Sequence, residues 1–274
     1  MGIITVNSLR CKKCGECVQS CPAAIIEFSS GNQLPFIESS NESRCIACGH
    51  CESVCPESAL IHQLTEEVFA TEFTSKTAIN PSEIGAYFTN RRSIRTYLPK
   101  TVDKRVFEQI MDIVRYSPTG TNRQNNKWVI VSDNKIIEQL AEGTINWMRV
   151  LLDTNIEMAR RLNASALIES FESGVDRICR NAPHIIIGYT DANYPPGLKD
   201  SIIASAQLEL LLPSFGLGGC WAGYLMLALQ YYPDLKKCIN LDESSTVHSA
   251  LMVGYPRYSY LTTPKRNKAS VIWL

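Results

Sequence analysis

The sequence predicts an α+β protein in which a small N-terminal module precedes a larger layered sandwich of helices and strands. Two observations support this prediction. Two short cysteine-rich repeats fall within the first sixty residues, and short branched apolar runs alternate with helical patterns beyond residue 81. The 274 residues also exceed one typical domain. We therefore expect one domain at 1–63, a linker at 64–80 and a second domain at 81–274.

The charge balance excludes several classes of partner. Lys and Arg together number 27, as do Asp and Glu, so no bulk charge recruits nucleic acid or anionic lipid. The first residues lack the basic and apolar regions of a signal peptide. No window holds the run of about 18 apolar residues that a membrane span needs. We expect no nucleic-acid partner and no membrane partner.

Each cysteine run reads C-x2-C-x2-C-x3-C-P, and the second run repeats the first at an offset of 34 residues, from Cys11 to Cys45. This spacing is typical of bacterial ferredoxins, where thiolates hold [4Fe–4S] clusters and the fourth cysteine of a run ligates the other cluster. One cluster is therefore assigned to Cys11, Cys14, Cys17 and Cys55. The other cluster is assigned to Cys45, Cys48, Cys51 and Cys21.

Two other uses of cysteine fit this pattern less well. Zinc sites also take four thiolates, but they usually join two C-x2-C halves across a longer loop. A disulfide framework needs an oxidising compartment, and Cys179, Cys220 and Cys238 are scattered. We therefore expect a reducing cytoplasm that is low in oxygen. His50, between two ligands, is interpreted as an exposed bystander, with coupling of the cluster potential to pH as the alternative.

Periodicity predicts the secondary structure of both modules. In the first, strands are expected at 3–6, 36–38 and 59–62, with the first and last paired. In the second, a helix opens at Pro81, where proline is tolerated in the first turn. Further helices are expected at 103–115, through most of 135–180, at 198–215 and at 222–229. Strands are expected at 128–132, 185–189 and 249–254.

Three segments of the second module suggest a ligand site. In 91–97, Arg91, Ser93 and Arg95 alternate and face one way if extended, where they suit a phosphate; the alternative is a solvated basic face. Residues 117–124 offer neutral hydrogen-bonding groups for a polar heterocycle, or form a plain turn. The glycines of 216–219 let the backbone approach a flat ligand, or cap a helix.

Together, in this order, the segments resemble the nitroreductase family of FMN flavoproteins. That family reads R-R-S-x-R-x-F/Y, A-P-S/T-x-x-N-x-Q, G-L-G-x-C-W, G-Y-P and a basic tail. Here Ser117 replaces the alanine, and the last two elements are Gly254-Tyr255-Pro256 and Pro264-Lys265-Arg266. The resemblance covers about 81–274, and 1–63 resembles the two-cluster ferredoxins. The resemblance of 81–274 to the nitroreductase family implies an α+β sandwich that forms an intertwined homodimer with two FMN sites at the interface.

The resemblance also implies roles for individual residues. Arg91, Ser93 and Arg266 would clamp the FMN phosphate with help from Lys265, while Arg92 lies in the same loop and Arg95 reaches the ring or ribityl oxygens. Pro118, Thr119, Asn122 and Gln124 would come from the other subunit. Trp221, Ala222, Gly223 and Tyr224 would face the isoalloxazine ring. No catalytic side chain is implied, because the chemistry resides on FMN. Many members have Pro-Trp where this chain has Asn125-Asn126.

The leading functional hypothesis is an iron–sulfur flavoprotein oxidoreductase. Its clusters would relay single electrons to or from FMN, which would reduce a small organic acceptor such as a nitroaromatic, quinone or activated alkene. A ferredoxin or NAD(P)H would be the donor, although no G-x-G-x-x-G fingerprint follows a strand. The alternatives are an electron-transfer adaptor for a protein partner and a flavin-modifying relative.

Three further features have competing interpretations. The helical region 136–180, which contains Trp147, either covers the ligand pocket or packs on the core. Cys220 is expected near the flavin, where packing is favoured over chemistry. His184 sits beside a run of isoleucines and is expected to be a core or edge histidine rather than a base.

Overall fold

The computed structural model of the protein describes residues 2–29, 31, 34–63 and 79–274. The chain divides into two compact units, Met1–Ala78 with Thr121–Arg123, and Ile79–Gly120 with Gln124–Leu274. Most of the predicted linker at 64–80 lies outside the described residues. Within the described ranges, no helix is both long and apolar enough to cross a membrane.

The first unit is built from short elements. In chain order they are β1 (Ile4–Val6), α1 (Glu16–Ser20), β2 (Ile26–Phe28), β3 (Pro35–Ile37), a 3-10 segment (Ser39–Arg44), α2 (His50–Ser53) and β4 (Leu60–His62). Strand β1 pairs antiparallel with β4, as the sequence predicts, and β2 pairs antiparallel with β3. The sequence pattern did not reveal β2.

The two cysteine runs adopt the same local structure because each has a glycine at the same position and a proline after its fourth cysteine. Gly15 and Gly49 both have the left-handed backbone conformation, with φ of 81° and 70°, and each directly precedes a short helix. The helices therefore start at equivalent points, and each carries the third cysteine of its run on a buried face. The proline after the fourth cysteine disfavours helical backbone at that cysteine, so the first helix ends at Ser20.

The second unit contains eight helices and four strands among its described residues. The helices are α3 (Pro81–Asn90), α4 (Lys104–Val114), α5 (Asn134–Thr154), α6 (Ile156–Leu162), α7 (Ala164–Glu172), α8 (Gly197–Leu211), α9 (Gly223–Tyr231) and α10 (Pro233–Lys237). The strands are β5 (Lys127–Val131), β6 (His184–Asp191), β7 (Gly218–Trp221) and β8 (Ser245–Gly254). They form one antiparallel sheet in the order β5-β6-β8-β7.

Helices cover both faces of this sheet, which gives the predicted α+β sandwich. Strand side chains alternate between the faces. Ile185 and Ile187 therefore pack in one hydrophobic cluster with α5, α7 and α9, while Ile186 packs in a second cluster with α4 and α8. All three isoleucines are fully buried. This explains why β6 reads as a continuous apolar run rather than an alternating one.

The predicted helical region 136–180 is three helices whose inward faces are buried. Ile145 and Met148 of α5 have no exposed surface, and Trp147 stacks on Tyr231 with ring centroids 6.5 Å apart. Two asparagines, rather than glycine or proline, separate the helices. Asn155 caps α6 by accepting from the N–H of Met158, and Asn163 has a left-handed φ of 54°. The observed burial agrees with core packing for these faces.

The glycine-rich segment 216–219 is a helix cap followed by a strand rather than a loop. Gly216, with a φ of 69°, ends the 3-10 turn that follows α8, and the chain then continues as β7. A Cβ atom at Gly218 would lie 2.3 Å from Cγ1 of Ile94, and one at Gly219 would lie 2.7 Å from Cδ1 of Leu212. The glycines therefore admit the protein's own side chains against the strand.

Candidate functional site

Four thiols surround a cavity in the first unit. Its lining includes Cys21, Cys45, Cys48 and Cys51, together with apolar side chains and His62. The empty volume is about 350 Å³ including its open mouth. Cys21 lies at the end of α1, while the other three belong to the second cysteine run. The structure thus brings together four cysteines from both runs.

A second cavity of the same unit is lined by the remaining four cysteines of the repeats. These are Cys11, Cys14, Cys17 and Cys55, and the empty volume is about 380 Å³. Cys55 comes from the second run, so the exchange of the fourth cysteine is reciprocal. The two cavities contain the same two sets of four that the repeat pattern predicts. The role of these cysteines as ligands stays a prediction.

The geometry of each cavity suits a cluster better than a single ion. Zinc requires its thiolates to converge within about 2.3 Å of one point. In the described part of the chain, no three His, Cys, Asp or Glu side chains form a group that could hold a single metal ion, and none of the eight cysteines is in a disulfide. Four thiols arranged around a larger cavity are what a cube of iron and sulfide would need.

Burial keeps the inner thiols protonated when no metal is present. It raises the pKa of the Cys51 thiol to about 11 and raises that of Cys17 as well. A metal ligates the thiolate and must therefore displace the proton. His50 also lines the cavity of Cys51, but it is exposed, and its Nδ1 lies 3.3 Å from the carbonyl oxygen of Cys48. This contact with a carbonyl, rather than a sulfur, agrees with the bystander interpretation.

In the second unit, a buried carboxylate joins two of the predicted cofactor residues. Glu209 on α8 accepts from Nη1 of Arg91 at 2.8 Å through one oxygen. Its other oxygen accepts from the indole Nε1 of Trp221 at 3.0 Å. Sequence analysis missed Glu209, because it lies in an apolar helix far along the chain from its partners.

The arginine segment 91–97 is only partly arranged as predicted. Arg91 Nη1 lies 3.5 Å from Ser93 Oγ, so these two side chains do share one side. Arg92 turns back onto backbone carbonyl oxygens of Thr89 and Arg91. Arg95 donates to the carbonyl of Ser93 at 3.4 Å. Arg91 and Ser93 are therefore the pair best placed to bind one anionic group together.

A large cavity opens beside Arg91. Its empty volume is about 930 Å³ including its mouth, and its lining includes Arg91, Arg92, Glu209, the segment 216–219 and the tyrosines Tyr258 and Tyr260. Ligand sites in proteins commonly have volumes of about 300–1,000 Å³. Two guanidinium groups and several backbone groups make this cavity suitable for a phosphorylated ligand. Among the described residues that line it, Lys265 and Arg266 are absent, and both are exposed.

The polar loop at 117–124 is a tightly turned segment. Thr121, Asn122 and Gln124 all have left-handed φ values of about 50°, a conformation that costs energy in residues other than glycine. Oγ1 of Thr119 accepts from the N–H of Gln124 at 3.0 Å. The Asn122 amide, which belongs to the first unit, donates to the carbonyls of Ile46 and Ala47 at 3.1 and 2.9 Å. The predicted contacts of Pro118, Thr119, Asn122 and Gln124 with a flavin stay predictions.

The residues predicted to face the flavin ring lie where β7 meets α9. Trp221 and Tyr224 are half-buried, Ala222 is buried, and Gly223 is the first residue of α9. A Cβ atom at Gly223 would meet no atom within 4 Å. The backbone there has open space beside it, unlike the backbone of Gly218 and Gly219.

Two arginines place positive charge near Cys220. Burial raises the pKa of the Cys220 thiol, while the charges of Arg95 and Arg180 oppose that rise. Cys220 is a member of the large hydrophobic cluster, which agrees with packing. Arg180 was not found from the sequence, although its left-handed φ of 55° marks it as unusual for arginine.

His184 is a core histidine. Its Nδ1 lies 2.8 Å from Oγ of Ser132, and its Nε2 accepts from the N–H of Val102 at 2.8 Å. Burial lowers the pKa of the ring to about 4. Both ring nitrogens are therefore committed to the fold, and the ring stays neutral at ordinary pH.

Comparison with protein families matches both parts of the chain. The nitroreductase family model matches residues 88–255, and a 4Fe-4S dicluster domain model matches residues 10–60. The resemblance seen in the sequence motifs is thereby confirmed. The comparison with curated proteins gave no significant match.

Several solved structures share the fold of the second unit. A nitroreductase with bound FMN from Bacteroides fragilis NCTC 9343 is 20% identical, covers 70% of this chain and 98% of its own, and has a TM-score of 0.58. A nitroreductase with bound FMN from Desulfitobacterium hafniense DCB-2 is 18% identical, with coverage of 71% and 100% and a TM-score of 0.54. A mutant of an FMN and NADPH-dependent nitroreductase from "sphigopyxis sp. strain HMH" is 18% identical, with coverage of 67% and 94% and a TM-score of 0.50.

Proposed function

Because this chain belongs to the nitroreductase family and also matches a 4Fe-4S dicluster domain, we propose that it is an iron–sulfur flavoprotein oxidoreductase. The observation that carries the proposal is the sorting of eight cysteines into two cavities of four, in the same chain as an arginine-lined cavity. When bound, the clusters exchange single electrons and FMN passes electrons to a small acceptor such as a nitroaromatic, quinone or activated alkene. Residues 1–63 would form the cluster domain, 64–80 the linker and 81–274 the FMN domain.

The cysteines of the two cavities are the proposed cluster ligands. One set is Cys11, Cys14, Cys17 and Cys55, and the other is Cys21, Cys45, Cys48 and Cys51. Apolar side chains line most of the cavity of the second set, whereas Lys12, Lys13 and Glu57 are among those that line the cavity of the first. Solvent exposure is one of the factors that set a cluster potential. The exposed thiol of Cys14 marks the side on which the first cluster would be accessible to a donor.

Arg91 and Ser93 are the proposed anchor for the FMN phosphate. An arginine has five N–H donors, and Glu209 engages only one guanidinium nitrogen of Arg91. The carboxylate thus fixes the orientation of the guanidinium while other donors remain to grip phosphate oxygens. Arg92, Arg95, Lys265 and Arg266 would add positive charge around this anchor.

Glu209 also orients the proposed ring site, because it holds the indole of Trp221. The segment Trp221, Ala222, Gly223 and Tyr224 would lie against the isoalloxazine ring. Its open backbone at Gly223 can approach a flat ligand closely. The positive charges of Arg95 and Arg180 would favour a ligand that carries negative charge at that place.

We further propose that the protein works as a homodimer. Pro118, Thr119, Asn122 and Gln124 would then contribute to the FMN site of the partner subunit. The C-terminal tail favours this arrangement, because Leu261, Ile272 and Trp273 are almost fully exposed apolar side chains. A second copy that covers them would remove that surface from water.

A ferredoxin-type protein is the proposed electron donor, because the dicluster domain exchanges single electrons. NAD(P)H is the second candidate, since one structural neighbour is named as NADPH-dependent. The eleven free cysteines fit a reducing, low-oxygen cytoplasm, where thiols and clusters persist.

Anaerobic steady-state turnover tests the reductase function. The reconstituted protein is supplied with reduced ferredoxin, or separately with NAD(P)H, and offered a panel of nitroaromatics, quinones and activated alkenes. We expect at least one acceptor class to reoxidise the protein with ferredoxin as donor. If no small acceptor does so while a redox protein does, the electron-transfer adaptor replaces the reductase. If FMN itself is consumed, the flavin-modifying alternative replaces it.

A further inference from the structure

The two halves of the cluster domain differ at one pair of equivalent positions. The repeat offset of 34 residues relates Cys11 to Cys45, and the same offset relates Phe28 to His62. Both residues are the last of a three-residue strand, Phe28 in β2 and His62 in β4. One half therefore carries an aromatic ring without a hydrogen-bond donor where the other half carries an imidazole.

The imidazole lies against a proposed ligand. Nε2 of His62 is 3.4 Å from Sγ of Cys45, within hydrogen-bond range for sulfur. His62 is only 4% exposed and lines the cavity that contains Cys45. The carboxylate of Glu52 accepts from the backbone N–H of His62 at 3.3 Å, and this hydrogen bond helps to fix the position of His62. Phe28, by contrast, is 40% exposed and does not line the other cavity.

We propose that the Nε2–H of His62 donates a hydrogen bond to Sγ of Cys45 and raises the reduction potential of the cluster held by Cys21, Cys45, Cys48 and Cys51. Reduction adds one negative charge to a cluster and its thiolates. A donor that points at a ligand sulfur stabilises the reduced state more than the oxidised state. The twin cluster has Phe28, which has no side-chain donor, at the equivalent position. Among the described contacts, its Cys55 sulfur, which corresponds to Cys21, accepts the backbone N–H of Ala59 at 3.2 Å.

His62 is thus a positioning and tuning residue rather than a catalytic one. The inference rests on the proposed cluster assignment but not on where the electrons finally go. Cluster potentials can be measured whether or not FMN is reduced and whether or not any acceptor turns over. A failure of the reductase function would therefore leave this inference standing, and its own failure would leave the reductase function standing.

A redox titration of the full chain, followed by the EPR signal of the reduced clusters, tests the inference. At pH about 8 an ordinary imidazole is neutral, so titration does not complicate the result. The replacement His62→Phe copies the other half of the repeat. We expect one of the two one-electron steps to shift against reduction by about tenfold, which is ~59 mV for a one-electron couple. His62→Gln retains an N–H donor and is expected to restore part of the shift. His50→Gln is the control, because that ring lines the same cavity but contacts a carbonyl oxygen rather than a sulfur, and neither step should move.

A second measurement uses the unaltered protein, in case His62→Phe binds less iron. With ¹⁵N-labelled histidine, pulsed EPR of the reduced clusters should detect coupling to an imidazole nitrogen. The coupling should persist in His50→Gln and disappear in His62→Gln. Unchanged potentials in a fully loaded His62→Phe protein, equal shifts of both steps, or no histidine coupling in the unaltered protein would each overturn the inference.

Discussion

The two units of this protein are stabilised in different ways. Among the described residues of the first unit, the hydrophobic core has five buried members, Cys17, Ile25, Ile26, Cys51 and Leu60, and two of these are proposed cluster ligands. The second unit has a four-stranded sheet with a buried cluster on each face, and Ile185, Ile186 and Ile187 are completely buried. A domain of about 60 residues buries a smaller fraction of its surface than a larger domain and is only marginally stable by itself. We therefore expect the first unit to depend on its clusters and the second to depend on its sheet.

Loss of one cluster ligand should give the largest effect. In Cys51→Ala, the first unit loses both a ligand and a core side chain, and metal binding supplies most of the folding free energy of such domains. We expect iron loss and rapid proteolysis confined to the first unit, while the second keeps its thermal transition and its FMN. Cys238→Ala, which lies outside both cavities, should change neither the iron content nor the rate of proteolysis. If the first unit stays folded after its iron is removed, the expectation that this unit depends on its clusters is wrong.

Truncation of a side chain on the inner strand β6 should destabilise the second unit alone. Ile186→Ala removes a fully buried side chain, and such changes cost about 2–5 kcal/mol. Denaturant unfolding should show this loss in the transition of the second unit, with the iron content unchanged. Ile156→Ala provides a control at a 45% exposed position and should alter stability by less than about 0.5 kcal/mol. Equal effects of the two changes would show that the sheet is not the main source of stability.

His184 should make the stability of the second unit depend on pH. Its pKa is about 4 in the folded protein and about 6.5 when unfolded. The unfolded state therefore binds the proton first, so the contribution is fully present above pH ~6.5 and is lost as pH falls towards about 4. The total loss is up to about 3 kcal/mol. When the urea midpoint is plotted against pH, His184→Asn should flatten the curve in this pH range. An unchanged slope would show that another group causes the pH dependence.

Replacement of Arg91 should weaken FMN binding while leaving the clusters intact. Hydrogen bonds to charged groups contribute about 1.5–3 kcal/mol, so Arg91→Gln should lower FMN affinity by about 10-fold or more. The change also leaves the carboxylate of Glu209 without its arginine. Arg115→Gln, which removes an exposed arginine paired with Asp112, is the control. Fluorescence titration of the FMN-free proteins measures the FMN affinity of both variants. If Arg91→Gln binds FMN as tightly as Arg115→Gln does, Arg91 is not part of the FMN site.

The sequence predicted best what depends on local spacing. The two sets of cysteines, the pairing of β1 with β4 and the apolar strand β6 all follow from short-range patterns. Strand β7 was missed because its glycines indicate a turn, whereas the structure explains Gly218 by the close approach of Ile94. That contact joins distant parts of the chain, so the periodicity of the sequence does not reveal it.

The candidate site shows the same limit. Glu209 was missed because its partners Arg91 and Trp221 are not its sequence neighbours. A single acidic residue in an apolar helix also forms no recognisable sequence motif. His62 was also missed as a site residue, although the repeat itself contained the signal. Comparison of the two repeats beyond their cysteines would have set His62 against Phe28.

Rapid mixing with a reduced ferredoxin tests the central claim most directly. Cluster and flavin absorbance are followed separately in the loaded protein without oxygen. The account predicts that the clusters are reduced first and that flavin reduction follows at a rate independent of donor concentration. It also predicts that a Cys14→Ala/Cys48→Ala variant, which retains FMN, is not reduced by ferredoxin. Flavin reduction by ferredoxin at the same rate in that variant would contradict the claim that the clusters carry the electrons.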